Sequence, residues 1–133
     1  MTRVNVDAIE FADDYTYNLN GTLFTGIGYE ADESGVLMSE MEFKNGIQHG
    51  VTRLYFSNGL LKKESYYEYN TLSGITREWD TEGKLEREEE YERGICIRRS
   101  AVDSRGKMSQ YYELTPHDEG YEILQLMRKA KFV

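Results

Sequence analysis

The sequence predicts a mainly β fold: a single antiparallel meander of β-hairpin repeats with a period of about 24, closed by a short C-terminal capping α-helix. Three observations predict it. Glycine recurs at Gly35, Gly59 and Gly83, spaced by 24 residues, and Gly106 follows after 23. Columns of like residues travel with those glycines: Leu37, Leu61, Leu85 and Met108; Glu40, Glu64 and Glu88; Phe43, Tyr67 and Tyr91; Gly26, Gly50 and Gly74. Eleven tyrosines, twelve glycines and a single proline suit short strands joined by tight turns. A repeat of roughly 20 to 50 residues signals an array of supersecondary units, each too small to be stable alone.

The 133 residues form one domain, 1–133, in three parts. Residues 1–34 are a degenerate N-terminal repeat or cap. Val4, Val6, Ile9 and Phe11 supply strand material there, and Asn20-Gly21 a turn before the strand that holds Gly26. Residues 35–113 are the β-hairpin repeats. In each, a strand such as Leu61–Tyr69 follows the glycine, and Leu61 and Tyr67 share a face because they are six apart. Glu40, Glu64 and Glu88 are an odd number of residues from those leucines and fall on the opposite face. A turn follows, Asn45–Gly50 or Asn70–Gly74, and a second strand runs Val51–Phe56 or Ile75–Trp79. Arg53 and Arg77 are placed to interleave with the glutamates, which would otherwise repel one another. Glu86–Glu90 has helical composition, but the repeat assigns it to a strand. In 114–133, Thr115-Pro116-His117-Asp118 has the order of a helix start. Tyr121, Ile123, Leu124, Met127 and Ala130 give the helix an apolar side, which covers the last sheet edge or one sheet face.

The net charge is −8, which disfavours nucleic acid as a partner. Charge is uneven: Glu78–Glu92 holds eight acids and two bases. Arg98, Arg99, Arg105, Lys107, Arg128, Lys129 and Lys131 make the C-terminal third basic and leave room for a membrane-surface module, against which the net acidity argues. The N-terminus offers no signal-peptide-like apolar stretch and no segment is apolar enough to span a bilayer, so the expected location is cytoplasmic. Cys96 is the one cysteine, which excludes an intrachain disulfide and a CxxC or Cys/His zinc site.

The residues argue against an enzyme, a cofactor and a metal. His49 falls in a turn and His117 in a helix first turn, and Cys96 in an apolar strand reads as a small buried hydrophobe. The glutamate column reads as a solvated row balanced by arginine rather than as acid–base pairs. Gly26-Ile27-Gly28 lacks the third glycine of a phosphate loop.

The spacing Phe43-x-Asn45-Gly46-x-x-His49-Gly50-x-x-x-x-Tyr55-x-x-x-Gly59 resembles the MORN repeat, in the bacterial variant whose next unit opens Gly-x-Leu-x-x-Glu-x-x-Tyr. The likeness covers about residues 20–113, and departs from the pattern at Asn70 and at Arg98, where glycine is expected. Bacterial proteins of this kind resemble antitoxin or immunity components of polymorphic toxin systems. The resemblance implies an immunity protein that neutralises one cognate toxin by stoichiometric occlusion; the alternative is a MORN-like interaction scaffold without a toxin partner. An acidic, aromatic-bearing surface suits a toxin with a basic surface. Its expected residues are Glu64, Tyr66, Glu68, Tyr69, Trp79, Glu86, Glu88, Glu90 and Tyr91. No nucleic acid or membrane is expected as a partner, and the free protein is expected to be a monomer or weak homodimer.

Overall fold

The computed structural model describes residues 1–130; Lys131 and the rest of the 114–133 segment beyond Ala130 lie outside the described residues. The strands in chain order are β1 (Arg3–Asn5), β2 (Ile9–Phe11), β3 (Tyr17–Leu19), β4 (Thr22–Leu23), β5 (Gly26–Ala31), β6 (Leu37–Lys44) and β7 (Ile47–Tyr55). They continue as β8 (Leu61–Glu68), β9 (Thr71–Leu72), β10 (Gly74–Trp79), β11 (Leu85–Glu92), β12 (Ile95–Val102) and β13 (Met108–Glu113), and α1 (Glu119–Ala130) follows. The main sheet runs β1-β5-β6-β7-β8-β10-β11-β12-β13, with β9 beside β8. From β5 onward it is the antiparallel meander that the repeat predicts.

Two kinds of turn alternate along the array. At one end, pairs of residues with positive φ close the hairpins: Asn20-Gly21, Asn45-Gly46, Tyr69-Asn70 and Arg93-Gly94. Left-handed residue pairs match the right-handed twist of the flanking strands. The turn after β6 is thus only two residues, and β7 begins at Ile47 rather than at Val51. At the other end sit the periodic glycines, with φ of 85°, 89°, 88° and 80° at Gly35, Gly59, Gly83 and Gly106. Asp80 and Asp103 brace two of these loops, their Oδ1 atoms accepting from two backbone N–H groups each.

Strand alternation is broken at fixed places, and this corrects one expectation. Tyr55 is paired with Leu61 while Leu54 is paired with Lys63, so Lys62 is an extra residue. The same bulge recurs at Met38 and Glu86. A bulge inserts one residue and reverses the in–out sequence beyond it. Leu61 and Leu85 therefore stand opposite Tyr55 and Trp79, on the face of the glutamates, and not with Tyr67 and Tyr91.

The N-terminal part is more than a degenerate repeat. β1 joins β5 in parallel, and β2-β3-β4 form a separate small sheet. That sheet is tied to the β6–β7 turn, where the Tyr17 N–H donates to the Gly46 carbonyl at 2.7 Å and the Gly46 N–H to the Phe24 carbonyl at 2.9 Å. The parallel pairing needs a missing side chain: a Cβ on Gly26 would lie 2.3 Å from the Thr2 carbonyl oxygen. Gly26→Ala is expected to push β1 off the sheet and cost about 1–3 kcal/mol, read by urea denaturation.

The helix is about three turns long, as expected, but starts later. Thr115–Asp118 is a closed turn, with the Thr115 N–H donating to Asp118 Oδ2 at 2.8 Å, and α1 begins at Glu119. It lies over the end of the sheet where β11 turns into β12. Arg93 Nη1 donates to the Met127 carbonyl at 2.7 Å, Arg128 pairs with Glu92 at 2.6 Å, and Gly120 sits over Ile95. Leu124 is buried, with Tyr121 and Met127 half-buried beside it. Ile123 and Ala130 are exposed, so the packed stripe is narrower than the sequence suggested.

Among the described residues only Phe24, Phe43 and Leu124 are buried apolar side chains. One sits in the helix and two beneath the small sheet, where Phe43 packs 5.5 Å from Phe24 and 4.9 Å from Tyr17. Between them the sheet is a single layer whose two faces are largely open.

Candidate functional site

The bonding register settles the glutamate column. One row crosses the sheet as Tyr29, Glu40, Arg53, Glu64, Arg77, Glu88 and Ser100. Acid and base alternate along it, because the two strands of each hairpin contribute Glu and Arg in turn. Arg53 Nε meets Glu64 Oε2 at 2.9 Å and Arg77 Nε meets Glu88 Oε2 at 2.8 Å, while Arg3 reaches over from β1 to pair with Glu40. The expected interleaving is thus present, and charge is balanced inside the row. Exposed pairs of this kind contribute only about 0.2–1 kcal/mol each to stability, so their main effect is to hold the face in one geometry.

Glu40 is the most constrained member. The Tyr55 hydroxyl donates to its Oε1 at 2.7 Å, and this bond, with the Arg3 guanidinium, holds its carboxyl below the usual 4.5 against the opposing effect of burial. Burial, and then the bond to Glu40, push the Tyr55 phenol up to about 12. The signs are opposite. A depressed carboxyl stabilises the fold at neutral pH and loses that contribution as pH falls through its folded value; the raised phenol stabilises below pH 10 and loses its contribution as pH climbs toward about 12. Tyr55→Phe is expected to return the Glu40 carboxyl toward 4.5, read by carboxyl NMR titration, and to remove the alkaline step.

A second row lies beside the first on the same face. Val51 pairs with Tyr66, Ile75 with Glu90, and Glu90 with Arg98. Arg98 also donates to the Glu90 carboxylate through its side chain, Nε to Oε1 at 3.1 Å. Here the repeats disagree, with Glu42, Tyr66 and Glu90 in one column and Gly50, Gly74 and Arg98 in its neighbour. The small residue has a reason: a Cβ on Gly50 would come within 2.8 Å of Glu42 Oε2. The departure from glycine at Arg98 was the sequence signal for its ion pair. At the helix end, Arg128 holds the Glu92 carboxyl below its usual value.

Most of the expected binding residues share this carboxylate face. Glu64, Tyr66, Glu88 and Glu90 are aligned by register, and Trp79 and Glu68 follow by alternation from Arg77 and Tyr66. Glu86 is the bulged residue and is exposed. Tyr66 is 40 % exposed, an aromatic among charges. Tyr69 is in the turn rather than the strand, at φ 49°, with its ring edge-on to His49 at 5.6 Å. Tyr91 departs from the group. It pairs with Gly74 and Cys96 and lines a cleft of about 120 Å³ with Ser65, Tyr67 and Thr76, on the opposite, hydroxyl-rich face.

Sequence reasoning missed the groove at the turn end. His49, Glu68, Tyr69, Glu92, Arg93 and Met127 surround a volume of about 640 Å³. It exists because α1 sits over the β11–β12 turn, a tertiary placement with no local sequence signal. Among the described residues no three His, Cys, Asp or Glu side chains converge to hold a metal, and no helix is long and apolar enough to cross a membrane.

The family model for the MORN repeat variant matches residues 24–45, 48–69 and 72–93, units of one 24-residue period. No curated protein matches the chain.

Proposed function

We propose, for a chain built on three MORN repeat variants, that it is a protein-interaction scaffold serving as the immunity protein of a bacterial toxin, which it neutralises by covering the toxin's active cleft. The observation that carries the binding role is the open, single-layer sheet, whose carboxylate face presents Tyr66 beside the ordered rows of Glu64, Glu88 and Glu90. A stable small domain ordinarily covers such a face with a second layer. The resemblance of bacterial MORN variants to immunity proteins supports the toxin as the partner.

The ion pairs refine how such a face works. Glu64, Glu88 and Glu90 are matched by Arg53, Arg77 and Arg98, so they present a fixed pattern rather than a bare negative field. Long-range steering of a basic toxin falls to the net charge of −8 and to acids without an ion-pair partner among the described residues, such as Glu68 and Glu86.

The test is to read the neighbouring reading frame and, where it encodes a long secreted protein with a variable C-terminal domain, to co-express that domain with this chain. Growth rescue, with a one-to-one complex, is the expected result; no rescue with both proteins folded would end the toxin reading. Reversing charge at Glu88 and Glu90 together is expected to weaken that complex about tenfold or more, and substituting Lys129 to change it little. Equal effects at both places would count against the carboxylate face.

A second reading, a scaffold that associates with itself, is favoured by β13, which ends the sheet with Tyr111 59 % exposed. The register shift between Arg99 and Ser100 opposite Tyr111 bends that edge and blunts pairing. Light scattering of the free protein separates the two: the immunity reading expects a monomer or weak dimer.

A further inference from the structure

Five loops of this chain share one hydrogen-bonding pattern, and one of them breaks its rule. In four, the fourth residue is Gly35, Gly59, Gly83 or Gly106, each donating its N–H back three residues, to Asp32, Phe56, Asp80 or Asp103. The fifth loop is Ala12–Thr16. Ala12 N–H donates to the Thr16 carbonyl at 2.8 Å and Tyr15 N–H to the Ala12 carbonyl at 2.9 Å, the same two bonds. Its glycine position is held by Tyr15 at φ 65°. A bulky side chain in the left-handed region is strained, and every other copy avoids the strain with glycine.

The ring obtained at that cost is not used for packing. Tyr15 is 75 % exposed. It stands edge-on to Phe11 at 6.1 Å, and Phe11 is itself 58 % exposed. Phe11 is braced from below, 4.8 Å from Tyr17, which stacks at 4.9 Å on buried Phe43. A rigid, outward aromatic pair anchored to the core has the form of a binding hot spot. Exposed Asp13 lies in the same loop between the two rings in sequence, and it has no ion-pair partner among the described residues. Aromatic faces beside a free carboxylate are complementary to a guanidinium, which stacks on the ring and pairs at its edge.

We infer that Phe11 and Tyr15, with Asp13, form a second binding surface, which takes an arginine side chain of a protein partner. It lies on the small N-terminal sheet, away from the carboxylate face, and holds whether or not the partner is a toxin.

The test uses the whole chain and acetyl-triarginine amide as the probe, followed through the ring resonances of Phe11 and Tyr15. Saturable shifts of both rings are expected, with triglutamine amide giving none. Tyr15→Gly restores the residue used by the other loops. It is expected to melt at or above the wild-type temperature and to bind the probe at least fivefold more weakly, and Asp13→Asn to weaken it while the fold is unchanged. A melting temperature lower by more than about 3 °C in Tyr15→Gly would make the ring a structural element and overturn the inference. So would unchanged affinity in that variant, or ring shifts that follow protein concentration without the probe, which would make a second copy the occupant.

Discussion

Phe43→Ala is expected to be the most damaging single truncation in this protein, lowering stability by about 3–5 kcal/mol. Phe43 is 5 % exposed and contacts Phe24 and Tyr17, so it joins the main sheet to the small one. Its neighbours cannot easily collapse into the gap. Gly28 stands beside the ring, where a Cβ would lie 3.2 Å from Phe43 Cε2, and Ile9 and Val6 crowd the same spot. Against a total of about 5–15 kcal/mol for a domain, such a loss leaves little margin. Urea denaturation followed by circular dichroism gives the value; a change below about 1 kcal/mol would mean that the small sheet is not anchored there.

Leu124→Ala is expected to cost about 2–5 kcal/mol and to act at the opposite end. Leu124 is 1 % exposed, and α1 has 12 residues, too few to be stable in water without docking. Truncation should therefore undock the helix, with loss of helical dichroism and of the Arg128–Glu92 and Arg93–Met127 contacts. Neighbour-only contacts keep damage local in a repeat array. Hydrogen exchange should rise in β11, β12 and α1 while β6 and β7 stay protected. Uniform deprotection would show instead one cooperative core.

How much the sequence revealed follows the range of the interactions. The 24-residue glycines mark positions where the backbone demands positive φ, a local requirement, and Gly35, Gly59, Gly83 and Gly106 all meet it. The repeat also overruled the helical composition of Glu86–Glu90, which lies in β11, because neighbouring strands fix that segment. The Glu–Arg alternation was legible for the same reason: columns one repeat apart must lie side by side.

What was not legible depends on single insertions and on packing across the chain. The bulges at Met38, Lys62 and Glu86 look like ordinary strand residues, yet they move Leu61 and Leu85 to the other face. Tyr91, by contrast, was legible: it is three residues from Glu88, so strand alternation alone puts it on the other face, and its place among the expected binding residues ran against that rule. The parallel seat of β1 rests on Gly26, whose column suggested only a repeat position. Helix α1 began three residues late, because Thr115 and Asp118 satisfy each other in a turn before it. Tyr69 occupies a left-handed turn position, where the repeat had placed it at the end of the strand Leu61–Tyr69.

The central claim is that the carboxylate face of the repeat sheet is the surface that meets a protein partner. Hydrogen exchange of this chain, free and in complex with the toxin domain against which it rescues growth in co-expression, tests it most directly. The account predicts new protection centred on Glu64–Tyr66 and Glu88–Glu90, with Tyr66 and Trp79 reporting burial in solvent-accessibility labelling. Protection confined to β13 or to α1, with those strands unchanged, would contradict it.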